Sequence, residues 1–114
     1  MMAAEHLNPD VIQELRLVMG GEFAALLRTF VVDSEQRIAA IDAALTAADV
    51  EALRRAAHSF KGSTSNIGTL GMAELCRQLE ELARSGTTAG GAELLALLRV
   101  EFDCVQQEIN SLAV

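Results

Sequence analysis

Five runs of apolar residues at three- and four-residue spacing, an alanine- and leucine-rich composition with one proline, and short connections between the runs predict an all-α protein. The expected architecture is an antiparallel up-down-up-down four-helix bundle with a short additional N-terminal helix. Aromatic residues make up only 4% of the chain, and no strand-like alternation competes, which disfavours a β-sandwich.

The elements follow in order. Pro9 suits the first turn of a helix, with Asn8 as its N-cap. Val11, Ile12, Leu15 and Val18 mark one face of this short helix, which Gly20-Gly21 stops. A long segment follows, with Phe23, Leu26, Leu27, Phe30, Ser34, Ile38, Ile41 and Leu45 on its seam. Asp49 caps the next helix, and Glu51 in its first turn complements the helix dipole. Its seam is Val50, Leu53, Ala57, Phe60, Thr64 and Ile67, and Gly68 and Gly71 break the chain beyond it. A fourth segment carries Met72, Leu75, Cys76, Leu79, Leu82 and Ala83 and ends at Ser85-Gly86. Residues 86–91, Gly-Thr-Thr-Ala-Gly-Gly, read as a flexible loop. The last segment shows Leu94, Leu98, Phe102, Val105, Ile109 and Leu112.

The chain has 114 residues, enough for one domain with one core, and residues 1–8 read as a mobile tail. The formal charge of −7 argues against binding nucleic-acid phosphates as the main task. No apolar run approaches the roughly 18 residues of a membrane span, and the first residues lack the basic and apolar blocks of a signal peptide. A cytoplasmic monomer is the default expectation. Cys76 and Cys104 are too few for a disulfide framework, are not spaced as zinc ligands, and read as core fillers.

The chemistry concentrates at residues 58–68, His-Ser-Phe-Lys-Gly-Ser-Thr-Ser-Asn-Ile-Gly. His58 lies about 100° round the helix from the seam residue Ala57, so it faces water. Arg54, Lys61, Gly62 and Ser65 share its stripe. Glycine in mid-helix costs about 1 kcal/mol relative to alanine. Helical side chains lean back over the preceding turn, so a side chain at position 62 would cover the imidazole, and glycine leaves it open. Lys61, the only lysine, can swing toward anything attached to the ring. No acidic residue stands between Glu51 and Glu74, whereas Arg54, Arg55 and Lys61 do, which gives a positive patch on an acidic protein. Histidine carries groups covalently through a ring nitrogen. A phosphoryl group on His58 would meet Lys61 and the hydroxyls of Ser63 or Ser65.

Each feature has a plainer reading. A lone helical histidine is ordinarily solvated, Gly62 could serve helix packing, Arg54 and Arg55 could be solvated charges, and Ser63 and Ser65 could bond back to their own helix. His6 falls in the tail and has no expected role. The combination at one stripe favours the carrier. The chain has no GxxxxGK or GxGxxG loop to hold a nucleotide, and no Asp/Asn cluster for Mg²⁺. It is suited to holding a phosphoryl group and not to taking one from ATP, so the donor must bring the metal.

His58-Ser-Phe-Lys61-Gly62-Ser63, then Asn66-Ile67-Gly68, then Leu75-Cys76-Arg-Gln-Leu79-Glu80 closely resemble the histidine-containing phosphotransfer domains of multistep two-component relays. The resemblance spans essentially the whole chain, including Phe30-x-x-Asp33-Ser34. It implies that His58 accepts a phosphoryl group from the aspartyl phosphate of a response-regulator receiver domain and passes it to another receiver. The carrier would be free-standing or part of a hybrid sensor histidine kinase. It would have no autokinase activity and no cofactor of its own, with Mg²⁺ expected on the receiver. The resemblance also implies that Glu80, 22 positions after the histidine, orients the ring through its other nitrogen. Glutamine also occurs there in relatives. The docking surface is expected where the leading helix and the start of the second approach the His58 face. Ile12, Leu15 and Met19 are the apolar candidates, some of them serving the core instead, with Arg54 and Arg55 beside them. The competing class is a helical bundle that binds or inhibits a partner without being phosphorylated.

Overall fold

A computed structural model describes residues 6–112. Helix α1 spans Pro9–Met19 and is followed by a 3₁₀ turn, Gly20–Glu22. Then come α2 (Phe23–Thr46), α3 (Val50–Ile67), α4 (Leu70–Arg84) and α5 (Gly91–Ser111). Helices α2 to α5 each pack on the next, and α5 closes back on α2. This is the expected four-helix bundle with a leading helix, and α3 and α4 share its most extensive interface.

The caps form as the sequence implies. The Asn8 side chain accepts from the Asp10 N–H, and Asp49 accepts from the Ala52 N–H. Helix α3 ends in a Schellman arrangement: the Gly68 N–H reaches the Ser65 carbonyl, and the Thr69 N–H reaches that of Thr64. Gly68 sits at φ +81°, and a Cβ there would come 2.9 Å from the Val11 Cβ. Both the left-handed backbone and the close approach of α1 therefore require glycine.

The seams form the core. Leu27, Ile41, Leu53, Phe60, Met72, Leu79, Leu98 and Val105 are fully buried. Each such side chain contributes about 1.5–3 kcal/mol on burial. Exposed ion pairs such as Arg77–Glu74 are screened by water and salt and add little. The bundle is thus held by its apolar stripes.

Three expectations need correction. Val18, placed with Ile12 on one apolar face of α1, is 75% exposed, because α1 turns only Ile12 fully into the core. The C-terminal part of the expected tail is docked: Leu7 is buried, the Asn8 N–H reaches the Gly68 carbonyl at 2.8 Å, and the His6 ring meets Glu101 at 2.7 Å. The rest of that tail, residues 1–5, lies outside the described residues. Helix α5 begins at Gly91, earlier than its apolar pattern indicated, and it buries Leu95 as well as Leu98. The 86–91 stretch is a turn closed by the Gly91 N–H on the Thr88 carbonyl.

Candidate functional site

Helix α3 directs His58 outward, with 62% of its side chain exposed. The neighbouring helix supplies its partner. Glu80 lies one residue past Leu79 on the edge of the α4 seam, at the α3 interface, and its side chain is only 4% exposed. Its Oε2 lies 2.9 Å from His58 Nδ1. An ionised carboxylate can only accept, so Nδ1 carries a proton, and in the neutral ring the lone pair is then on Nε2. Among the described residues Nε2 has no hydrogen-bond partner.

A buried carboxylate persists only if its charge is matched. Arg84 Nη2 donates to the same Oε2 at 2.8 Å. Lys61 Nζ lies 2.8 Å from Oε1 as an ion pair, without the alignment of a directed hydrogen bond. Lys61 first, then Arg84, with a smaller contribution from His58, hold the Glu80 carboxyl at about 2 against an ordinary 4.5, while burial acts the other way. Glu80 is therefore ionised at neutral pH.

Gly62 is exposed one turn beyond His58, and a Cβ there would meet nothing within 4 Å. Helix packing therefore does not require this glycine. Ser65 is exposed on the His58 stripe, whereas Ser63 turns toward α2. There it lines a groove of about 270 Å³ with Leu26, Thr29, Asp33 and Asn66. Neither hydroxyl bonds back to the helix. Thr64 does so instead, donating to the Lys61 carbonyl at 2.9 Å.

The positive patch is more balanced than the sequence suggested. Glu51 folds forward along α3, accepts from Arg54 Nε at 3.1 Å, and lies 4.0 Å from Arg55 Nη1. The hydrogen bond from Arg54 pulls the Glu51 carboxyl below its ordinary range. Lys61, expected to be free to swing, rests on Glu80. Of the apolar docking candidates, Ile12 is buried and cannot meet a partner, because it is the residue that anchors α1 to the core. Leu15 and Met19 are half-buried. Two arginines were missed. Arg84 completes the Glu80 cluster, and Arg37 bonds Asp33, reaches the hydroxyl of Ser59 beside the histidine, and lies over the Phe60 ring. The signal for both was a carboxylate four residues earlier on the same helix, Glu80 and Asp33.

An Hpt-domain family model matches residues 25–112, most of the chain. The chain belongs to the histidine-containing phosphotransfer (Hpt) family. It shares 42% identity with histidine-containing phosphotransfer protein B (HptB) from Pseudomonas aeruginosa PAO1, over 96% of this chain and 95% of that one, with a TM-score of 0.92. A rice protein assigned as a histidine-containing phosphotransfer protein is 18% identical over 93% of this chain and 78% of its own, with a TM-score of 0.84. That second likeness concerns the fold. Comparison with curated proteins finds no significant match. As an Hpt domain the chain acts in histidine phosphotransfer within a two-component phosphorelay, as a phosphoryl carrier. Hpt domains work with receiver domains and kinases in such relays. No helix among the described residues is long and apolar enough to cross a membrane.

Proposed function

We propose that His58 is the phosphoryl acceptor and that it reacts through Nε2. The observation that carries this reading is the Nδ1–Glu80 contact, which leaves the other ring nitrogen unpartnered on an exposed side chain. The Nε2 lone pair attacks the phosphorus of a receiver's aspartyl phosphate. The N–P bond forms, the P–O bond to the aspartate breaks, and the aspartate leaves as a carboxylate. The Nδ1 proton stays on the ring, and the Glu80 carboxylate offsets the positive charge that the ring gains. Transfer to the next receiver runs the same step in reverse.

The roles divide by position. Gly62 admits the receiver to the ring, and Lys61 neutralises charge on the transferring group. Ser65 is the hydroxyl on the reacting stripe, while Ser63 belongs to the flanking groove. Mg²⁺ belongs to the receiver, and this chain's residues hold and orient the imidazole. The docking surface combines Arg54 and Arg55 with an apolar stripe of α1. Val11 packs against Gly68 at the end of α3, and Leu15 and Val18 continue the same stripe at i+4 and i+7.

His58→Gln tests the reading. The substitution is on the surface, so the fold should persist with an unchanged melting temperature, and acid-labile, alkali-stable phosphate from a phosphorylated receiver should disappear. Full phosphorylation of this variant would move the acceptor elsewhere.

A further inference from the structure

Glu80 places its two oxygens on different tasks. Oε2 is shared by the His58 ring and the Arg84 guanidinium, at 2.9 and 2.8 Å. Oε1 is buried, and Lys61 is the cation that meets it, close but poorly aligned. Lys61 is 36% exposed, so its ammonium can leave Oε1 without unpacking the core. When it leaves, Arg84 and the ring remain on Oε2, and the carboxylate keeps a counter-charge. Arg84 is also solvent-reachable, at 55% exposure, but it lies on α4. Lys61 is one turn from His58 on its own stripe and is the cation placed to turn from Oε1 to a group on the ring.

A phosphoryl group arriving on Nε2 brings a second anion into reach of the same ammonium. Glu80 and the phosphoryl group then compete for one lysine. We propose that Glu80, beyond orienting the ring, is a positioning residue that tunes how firmly the phosphoryl group is held. By drawing Lys61 back, its carboxylate limits the lysine's grip on phosphohistidine and keeps the group transferable. An amide at this position would still accept from Nδ1–H but would hold Lys61 only weakly, because a neutral acceptor bonds an ammonium less strongly than a carboxylate does. This inference rests on His58 as the acceptor.

The test is a double-mutant cycle on phosphohistidine lifetime and on the phosphoryl equilibrium with a receiver. It compares the wild type, Lys61→Ala, Glu80→Gln and the double variant, each loaded with phosphoramidate, whose N–P bond breaks and releases ammonia. Effects of Glu80 on the ring itself appear in both Lys61 backgrounds and cancel. The Lys61→Ala penalty should be roughly three- to tenfold larger in the Glu80→Gln background than in the wild type. An equal or smaller penalty overturns the proposal. Should Glu80→Gln fail to fold, the wild type still decides. The Lys61 ammonium resonance in ¹⁵N NMR should shift when His58 is phosphorylated, and an unmoved resonance would mean that the lysine stays on Glu80. Failure of the wild type to take phosphate from phosphoramidate or a receiver would overturn the acceptor assignment, and this inference with it.

Discussion

At the scale of single residues, the proposed transfer depends as much on what Gly62 omits as on what His58 supplies. The open space around position 62 separates access from packing. Gly62→Leu should raise the melting temperature by roughly 2–5 °C, from about 0.5–1 kcal/mol of helix propensity. It should also block transfer from a receiver, because the new side chain leans over His58. Thermal unfolding and a transfer assay on the same sample check both halves, and a fall in stability would restore a packing role. The exposure of the His58 stripe was legible in the sequence because helical periodicity alone sets which residues face water. The Glu80 contact was reached through family resemblance, since it joins residues on two helices and no local pattern registers it. Arg84 and Arg37 went unread because a surface arginine becomes informative only once its partner is known to be buried or beside the site.

At the scale of elements, α1 is the part whose role the sequence described least well. Periodicity gave it one apolar face, and the structure divides that face between anchoring and exposure. Ile12 serves the core, while Val18 stands in solvent on the stripe that begins at Val11. In this eleven-residue helix only Ile12 is fully buried, and Leu15 and Met19 pack partly against the core, so Val18 obeys the apolar pattern without being covered. Val18→Glu should therefore leave stability nearly unchanged yet slow phosphoryl transfer from a receiver by roughly tenfold, about 1.4 kcal/mol at a modest transient interface. Phosphorylation by a small donor should be unaffected. Leu17→Glu is the matched control: Leu17 is 78% exposed but turns toward a groove beside α5. Stopped-flow transfer with both variants separates the faces, and equal slowing by both would place docking elsewhere around α3. The longer helices were legible almost residue by residue, since each buries one continuous stripe.

At the scale of the whole molecule, one buried carboxylate couples the site to the stability of the bundle. The Glu80 carboxyl is held down to about 2 when folded, against an ordinary 4.5. A depressed carboxyl pKa stabilises the fold above the unfolded value, and that contribution is lost as pH falls through the folded value. The stability advantage from this ionisation should therefore be fully present above about pH 4.5 and gone near pH 2. Glu74, also held at about 2 by Arg77 and Gln78, falls in the same window. Glu80 is isolated by subtracting the Glu80→Gln curve from that of the wild type. Chemical denaturation at steps between these limits should show the difference shifting against the wild type as pH falls, and a pH-independent difference would contradict the folded-state ion pairs. The bundle topology was legible from spacing and short connections. The docking of residues 6–8 was not, because His6 meets Glu101 about 95 positions away and nothing local announces such a contact.

The proposed chemistry turns on one contact: Glu80 holds Nδ1 of His58 and thereby reserves Nε2 for the phosphoryl group. NMR on protein carrying ¹⁵N-labelled histidine, phosphorylated by its receiver, reads that contact without an intervening assumption. A one-bond ¹⁵N–³¹P coupling is expected at Nε2 of His58, with Nδ1 still protonated. Phosphorus on Nδ1, or on any residue other than His58, would contradict it.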